Sequence, residues 1–319
     1  MKLTDSPVFA VCMLVAGLLA GTAWYALRLK KNRLPVRAAF YGAAIGAVLA
    51  LVCAKFGFLL HDLGMNIFDG YYDEITEISA WTLSFVAGAL GIVAGVAAGA
   101  RLSGIKAKKA LDLFAAPGCV FLCLARIAEG GMDTIGTGSE VEAAWLQWPP
   151  LAMENSWEEM YLCVFFLEAV WALVCLIPAL GARRAGDRDG GAFARTAVWL
   201  LGAQIGFEMF LQYPFIRCFM RSFVSLDQVF CAVLLVILVV MGCVRNKKWW
   251  PLPVVLALLG LNAVFQFYRD NKITFFEENG WMWFVDNAVT VSRYAFAAIS
   301  AALIPVSLKA LEPRGKAKM

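Results

Sequence analysis

FVSLDQVFCAVLLVILVVMGCVRNKKWW, residues 223–250, carries no charge between Asp227 and Arg245 and then meets Arg245, Lys247 and Lys248 in quick succession. An uncharged apolar run of this length spans the roughly 30 Å hydrocarbon core of a bilayer as a helix. The basic cluster that stops it reads as a cytoplasmic flank, and Trp249 and Trp250 as interfacial anchors. The same pattern recurs to either side. Spans are expected at 7–27, 38–60, 79–100, 110–127, 160–181, 194–213, 223–244, 251–268 and 282–308. The fold class is therefore all-α: a polytopic membrane protein of about nine transmembrane helices.

Composition agrees. Of 319 residues, 61% are hydrophobic and 16% charged, with a mean hydropathy of +0.70, against roughly 25% charged in a soluble domain. The net charge of +4 does not argue for nucleic acid, because the basic residues fall in short clusters between apolar spans. The segments 28–37, 101–109, 183–195, 245–248 and 309–319 hold 20 of the 28 Lys and Arg. The segments 62–77, 129–159 and 270–278, on the opposite side, hold 15 of the 24 acids. Lys and Arg set orientation, so the N-terminus is expected outside and the C-terminus in the cytoplasm. Residues 7–27 have their positive charge behind rather than ahead of the apolar run, which reads as an uncleaved first helix and not a secretory signal. Nine cysteines without a CxxC pair, and the single histidine His61, give no basis for a disulfide framework or a thiol zinc site.

Two spans carry ladders of small residues, Gly42 and Gly46 in the second and Gly91, Gly95 and Gly99 in the third. Such a face lets helix backbones approach closely, a packing role rather than a chemical one. Ionisable residues at bilayer depth are the better functional signal, since each costs at least about 2.5 kcal/mol on an insertion scale. Lys55, Asp112, Arg126, Glu129, Glu168, Glu208, Arg217, Arg221, Asp227, Asp286 and Arg293 fall within or at the edges of spans. Arg126, Glu129 and Asp133 cluster at one outer end, and with Arg217 and Arg221 they would suit an anionic head group, which the planar guanidinium grips in two places. Glu158 and Glu159 are adjacent, so they do not share a helix face, and are expected to complement a helix N-terminal dipole. His61, at the outer end of the second span, is a candidate general base.

The segment LDLFAAPGCVFLCLARIAEGGMDTIG, from Leu111, resembles the bacterial prolipoprotein diacylglyceryl transferases, in which an Asp-containing start, an Ala-Pro pair and an Arg in a GRxGNFxNGExxG signature occur at this spacing. Here they are Asp112, Ala116 with Pro117, and Arg126. Further pieces follow in the family's order. FYGAAIGAVLALVCAKFGFLLHD from Phe40 is similar to its second helix, LSFVAGALG from Leu83 stands where it has LSFHGGLIG, WEEMYLCVFFLEA from Trp157 resembles its HPxQLYE region, and SLDQVFCAVLLV from Ser225 its SMGQLLSL helix. The resemblance covers roughly 1–245 as a seven-helix transferase-like domain, leaving 246–319 as an added helical pair with a basic tail.

The resemblance implies transfer of a diacylglyceryl group from phosphatidylglycerol to the lipobox cysteine in the signal peptide of a preprolipoprotein. The expected setting is the bacterial cytoplasmic membrane, with the lipid bilayer itself as a partner and no metal or organic cofactor. It gives Arg126 the lipid phosphate, with Gly136 and Arg217 as further substrate contacts, and leaves Glu129, Asp133 and His61 as candidate catalytic groups. The sequence departs from the family at Val86, where the family has histidine, at Ala87 for a glycine, at Glu129 for an asparagine, and at Glu208 for an arginine. Those departures keep a second reading open, a non-catalytic relative that binds lipid or an exported protein. A transporter is the third reading, and the inverted repeats expected of one are not visible between the halves.

Overall fold

A computed structural model describes residues 6–68, 83–132, 137–141, 144–154, 159–181, 189–208, 210–211, 224–271, 280 and 288–313. Ten helices and three short strands are found among them: α1 (Pro7–Lys31), α2 (Arg37–Phe68), α3 (Phe85–Leu102), α4 (Ala107–Glu129), β1 (Thr137–Glu140), β2 (Ala152–Glu154), β3 (Met160–Cys163), α5 (Val164–Val174), α6 (Leu176–Leu180), α7 (Gly191–Phe207), α8 (Leu226–Asn246), α9 (Pro251–Asn271) and α10 (Ala288–Leu311). Six segments are long and apolar enough to cross a membrane, in α1, α2, α3, α4, α8 and α10, while Val164–Leu180 and Pro251–Phe267 are shorter apolar helices. Every expected span contains a helix. A mostly helical, multi-pass membrane protein is thus the architecture.

The chain falls into two compact units, one of residues 1–196 with 211–216 and one of 197–210 with 217–319. The second groups α8, which the resemblance places with the transferase-like segment, with α9 and α10.

Within the first unit, α1 runs antiparallel to α4. The Ser6 amide donates to the Gly131 carbonyl at 2.8 Å, and a Cβ added at Gly17 or Gly21 would meet Phe121, Leu124 or the Pro117 carbonyl. α2 and α3 pack antiparallel along the two glycine ladders. A Cβ at Gly95 would run into the Gly46 backbone, and one at Gly99 into the Gly42 backbone, so the small-residue faces do bring backbone against backbone. Tyr25, Leu29, Ile92, Val96, Ala100 and Phe114, from α1, α3 and α4, share one buried cluster. The turn from α3 to α4 is a Schellman motif. Gly104 takes φ 77°, the left-handed value that favours glycine, while the Ile105 amide donates to Ala100 O and the Gly104 amide to Arg101 O.

One part of the segment between α4 and α5 differs from an all-helical expectation. β1, β3 and β2 form a three-stranded antiparallel sheet with β3 in the centre, Met153 opposite Tyr161 and Thr137 opposite Cys163. The span expected from 160 therefore begins at Val164, because Met160–Cys163 alternate half-buried and buried side chains as a strand does. This corrects the dipole reading of Glu159. It precedes a strand, not a helix, and its carboxylate accepts a 2.7 Å bond from the Tyr161 hydroxyl. Glu158 lies outside the described residues.

In the second unit, α10 packs against both α8 and α9. The Asn246 side chain donates to the Ala310 carbonyl at 2.8 Å, and Gly202 and Gly206 of α7 lie against Ile304 and Ser300 of α10.

Candidate functional site

α4 buries charge at both ends: Asp112 near its start and, in its last turn, Arg126 and Glu129, which follow at i, i+3 and so share one side. Arg126 Nη1 contacts Glu129 Oε1 at 2.7 Å. Its Nε contacts Glu168 Oε2, on α5, at 3.1 Å. The guanidinium sits over the Phe85 ring at the start of α3, with Cζ 3.5 Å from the ring centroid, a cation–π contact. All three charged residues are buried, at 7%, 8% and 5% exposure for Arg126, Glu129 and Glu168.

Each element is set in place by local chemistry. The Ser84 hydroxyl accepts from the Ala87 amide and caps α3, which fixes Phe85 on the first turn. β3 runs without a break into α5, so the sheet sets where Glu168 enters the cluster. Cys123 of α4 packs with Ala169 and Ala172 of α5, and a Cβ at Gly130 would meet the Phe165 ring at 2.8 Å, so α4 and α5 are close exactly where the ion pairs form. A carboxylate at the C-terminal end of a helix opposes the helix dipole, which makes Arg126 the group that holds Glu129 there.

Of the residues singled out in the sequence, the structure brings Arg126 and Glu129 together. It adds Glu168, which was ranked only among the intramembrane charges; a lone acid inside the apolar run VFFLEAVWALV was the signal that could have promoted it. Asp133, Gly136 and Arg217 lie outside the described residues. His61 falls within α2, but its side chain lies outside the described residues. Val86 and Ala87 are buried on the first turn of α3, next to Phe85, so the position where the resemblance implies a histidine offers no base. Phe85, Arg126 and Glu168, one from each of three segments that carry the resemblance, meet at the Arg126 guanidinium.

Two other acids have structural roles. Asp112 accepts from the Gly190 amide at 2.7 Å and the Phe193 amide at 2.9 Å, capping the N-terminus of α7 from a helix 78 residues away in sequence. Glu208, just past α7, accepts from Gln204 Nε2 at 3.0 Å and from the Ser225 hydroxyl at 2.9 Å. Ser225 in turn forms a capping box with Gln228 at the start of α8. Among the described residues, no three His, Cys, Asp or Glu converge as a metal site would require.

The cluster is thus a cation with two carboxylates in contact, stacked on an aromatic face and shielded from water. Such a group can exchange one carboxylate for an incoming anion, and the carboxylate released can then accept a proton from a second incoming group. Comparison with protein-family models, with curated proteins and with solved structures finds no match for this chain, so its function is to be argued from this cluster.

Proposed function

We propose that the chain is a diverged lipid-modifying enzyme of the diacylglyceryl transferase type, working at the outer side of a bacterial cytoplasmic membrane. The observation that carries this reading is the buried Arg126 held between Glu129 and Glu168. The basic segments 28–37 and 101–109 join α1 to α2 and α3 to α4, at the helix ends away from Arg126. The positive-inside rule then puts those turns in the cytoplasm and Arg126 at the outer end, with the N-terminus outside and nine crossings in all.

In this reading Arg126 binds the phosphate of phosphatidylglycerol, which displaces one carboxylate from the guanidinium. The released carboxylate, Glu129 or Glu168, takes the proton of the lipobox thiol of a preprolipoprotein signal peptide. The thiolate sulfur attacks the glyceryl carbon that carries the phosphate ester, a C–S bond forms, the C–O bond breaks, and glycerol phosphate leaves with its new negative charge on Arg126. The proton passes from the carboxylate to that leaving group. Removing charge stabilisation of this kind lowers rates by about 10²-fold or more, which sets the expected loss for Arg126→Lys.

The test is a transfer assay with the purified chain, phosphatidylglycerol labelled in its acyl chains and a lipobox peptide. Label on the peptide cysteine, lost in Arg126→Ala, supports the enzyme. A second reading, a relative that binds anionic lipid without catalysis, is favoured by one feature: two carboxylates already contact Arg126, so a phosphate must compete for it. No transfer, together with Arg126-dependent thermal protection by phosphatidylglycerol, would select that reading. Neither transfer nor protection would sink both.

A further inference from the structure

The connection from β1 to β2 reads EAAWLQWPPLAME over residues 142–154, with no charge from Ala143 to Met153. Trp145 and Trp148 are 75% and 51% exposed. Apolar residues scattered singly on a surface need no explanation, but two indoles presented by one uncharged loop mark a contact surface.

The loop is ordered by its own hydrogen bonds. The Gln147 amide donates to Ala144 O at 3.3 Å, the Trp148 amide to Leu146 O at 2.9 Å, and the Leu151 and Ala152 amides to Trp148 O at 3.0 and 3.2 Å. Pro149 and Pro150 have no N–H to satisfy. Every backbone donor from Gln147 to Ala152 is thus bonded within the loop or absent. The Gln147 side chain is engaged as well, donating to the Val141 carbonyl at 2.7 Å. Water serves such donors in a solvated loop, whereas a loop that leaves water has to satisfy them itself.

The sheet fixes the height of this loop. The Val141 amide donates to Met160 O, at the start of β3, and the Cys163 amide, at its end, donates to Leu151 O, both at 2.7 Å. Trp148 is therefore tied through Leu151 to Cys163, the N-cap residue of α5. The apolar helical run Val164–Leu180 is about 26 Å long at 1.5 Å per residue, short of the roughly 30 Å hydrocarbon core. Arg183 and Arg184 follow its far end. With that basic end at one membrane boundary, Cys163 comes no higher than the other, and Leu151 and Trp148 stand at the bilayer surface rather than above it. The acids lie at the opposite end of the sheet: Glu154 pairs with Met160, Glu140 with Tyr161, and Glu159 precedes Met160. One end of the sheet is thus made for water and the other for lipid. This step takes from the topology only that Val164–Leu180 crosses the membrane, and it is independent of what Arg126 binds.

We infer that residues 144–151 form a membrane anchor. Trp145 and Trp148 seat between the headgroups and the acyl chains of the leaflet on the Arg126 side, where an indole buries its body and keeps its N–H among polar groups. The anchor holds the sheet, and with it the start of α5, against the bilayer.

The test uses the full chain in nanodiscs of phosphatidylcholine and phosphatidylglycerol. The chain has 11 tryptophans, and subtracting the emission of Trp145→Phe/Trp148→Phe from that of the wild-type chain isolates these two. The difference is expected to lose most of its intensity when the lipid carries bromine near the glycerol end of its acyl chains, and little when iodide is added to the water. Strong quenching by iodide with none by the brominated lipid would overturn the inference and leave the loop to a polypeptide partner. Phospholipids with a diazirine at successive acyl depths give a second measurement on the wild-type chain alone, and adducts are expected within 144–151. Adducts on exposed Leu173 and Ile177 with none at 144–151 would also overturn the anchor, while showing that Val164–Leu180 does cross.

Discussion

Glu168 on α5 and Glu208 at the end of α7 are buried to the same depth, 5% exposure for both, and their surroundings differ. Glu168 meets a guanidinium that it shares with Glu129 across a helix–helix contact. Glu208 accepts from an amide one turn earlier and from the hydroxyl that caps the next helix. An ion pair between elements can be opened by a competing anion, whereas a capping network built from neighbouring turns fixes a chain reversal. Burial of an acid in a membrane protein is therefore a poor guide to function until its partners are known.

The largest effect should come from Arg126. Arg126→Ala leaves Glu129 and Glu168 buried beside each other, and breaking a buried pair in this way costs about 3–5 kcal/mol. Denaturation in detergent should show the loss, and Arg126→Ala/Glu168→Gln should recover part of it. A loss no larger than that of a surface substitution would mean that water reaches the cluster freely and that the contrast with Glu208 is one of exposure alone.

Gly95→Leu comes next. Its side chain would meet the Gly46 backbone, which cannot move aside as a rotamer can, and overpacking of this kind costs about 1–3 kcal/mol. The readout is again denaturation in detergent, with Gly260→Leu, at a position with open space around it, as the matched control.

The two capping acceptors should follow in order. Asp112→Ala removes the acceptor of two amides at the start of α7, and cap losses run from about 0.5 to 2 kcal/mol; an acceptor that serves two amides belongs at the upper end. Ser225→Ala removes one neutral cap and its bond to Glu208, with an expected loss of about 1 kcal/mol. Hydrogen exchange at the Phe193 and Gln228 amides, which these side chains accept, should rise in the respective variant only.

Much of this arrangement was legible in the sequence. Apolar length located a helix in every expected span, and the four-residue glycine spacing marked a close-packing face on each of α2 and α3, because both are periodic properties of one segment, but it did not say that the two faces meet each other. The strand at Met160–Cys163 was not, since MYLC continues an apolar run into α5 and composition does not distinguish a buried strand from the first turn of a helix. Arg126 and Glu129 were found together because they lie one turn apart. Glu168 was not joined to them, since the contact depends on how α4 meets α5. Asp112 was equally ambiguous: its partners are backbone amides 78 and 81 residues away, and an N–H leaves no mark in a sequence.

Cys163 gives the smallest expected signal and separates two physical effects. It is the N-cap residue of α5, a place where a helix dipole favours a thiolate and would make the thiol reactive. It is also wholly buried, between β3 and the Met153–Phe165 cluster, and burial pushes its pKa up to about 12. Burial wins because a thiolate there would lose its water while the dipole offers only partial charge. A thiol whose folded pKa lies above its unfolded one stays protonated through neutral pH, and its contribution to stability is present below the unfolded value, near 9, and declines as pH rises from there towards 12. At pH 8 Cys163 should thus resist iodoacetamide in the folded chain and react once denatured, as mass spectrometry of the 160–167 peptide would show. Ready alkylation of the folded chain would mean that the sheet opens beside α5, and the sheet could then no longer be what fixes Glu168 against Arg126.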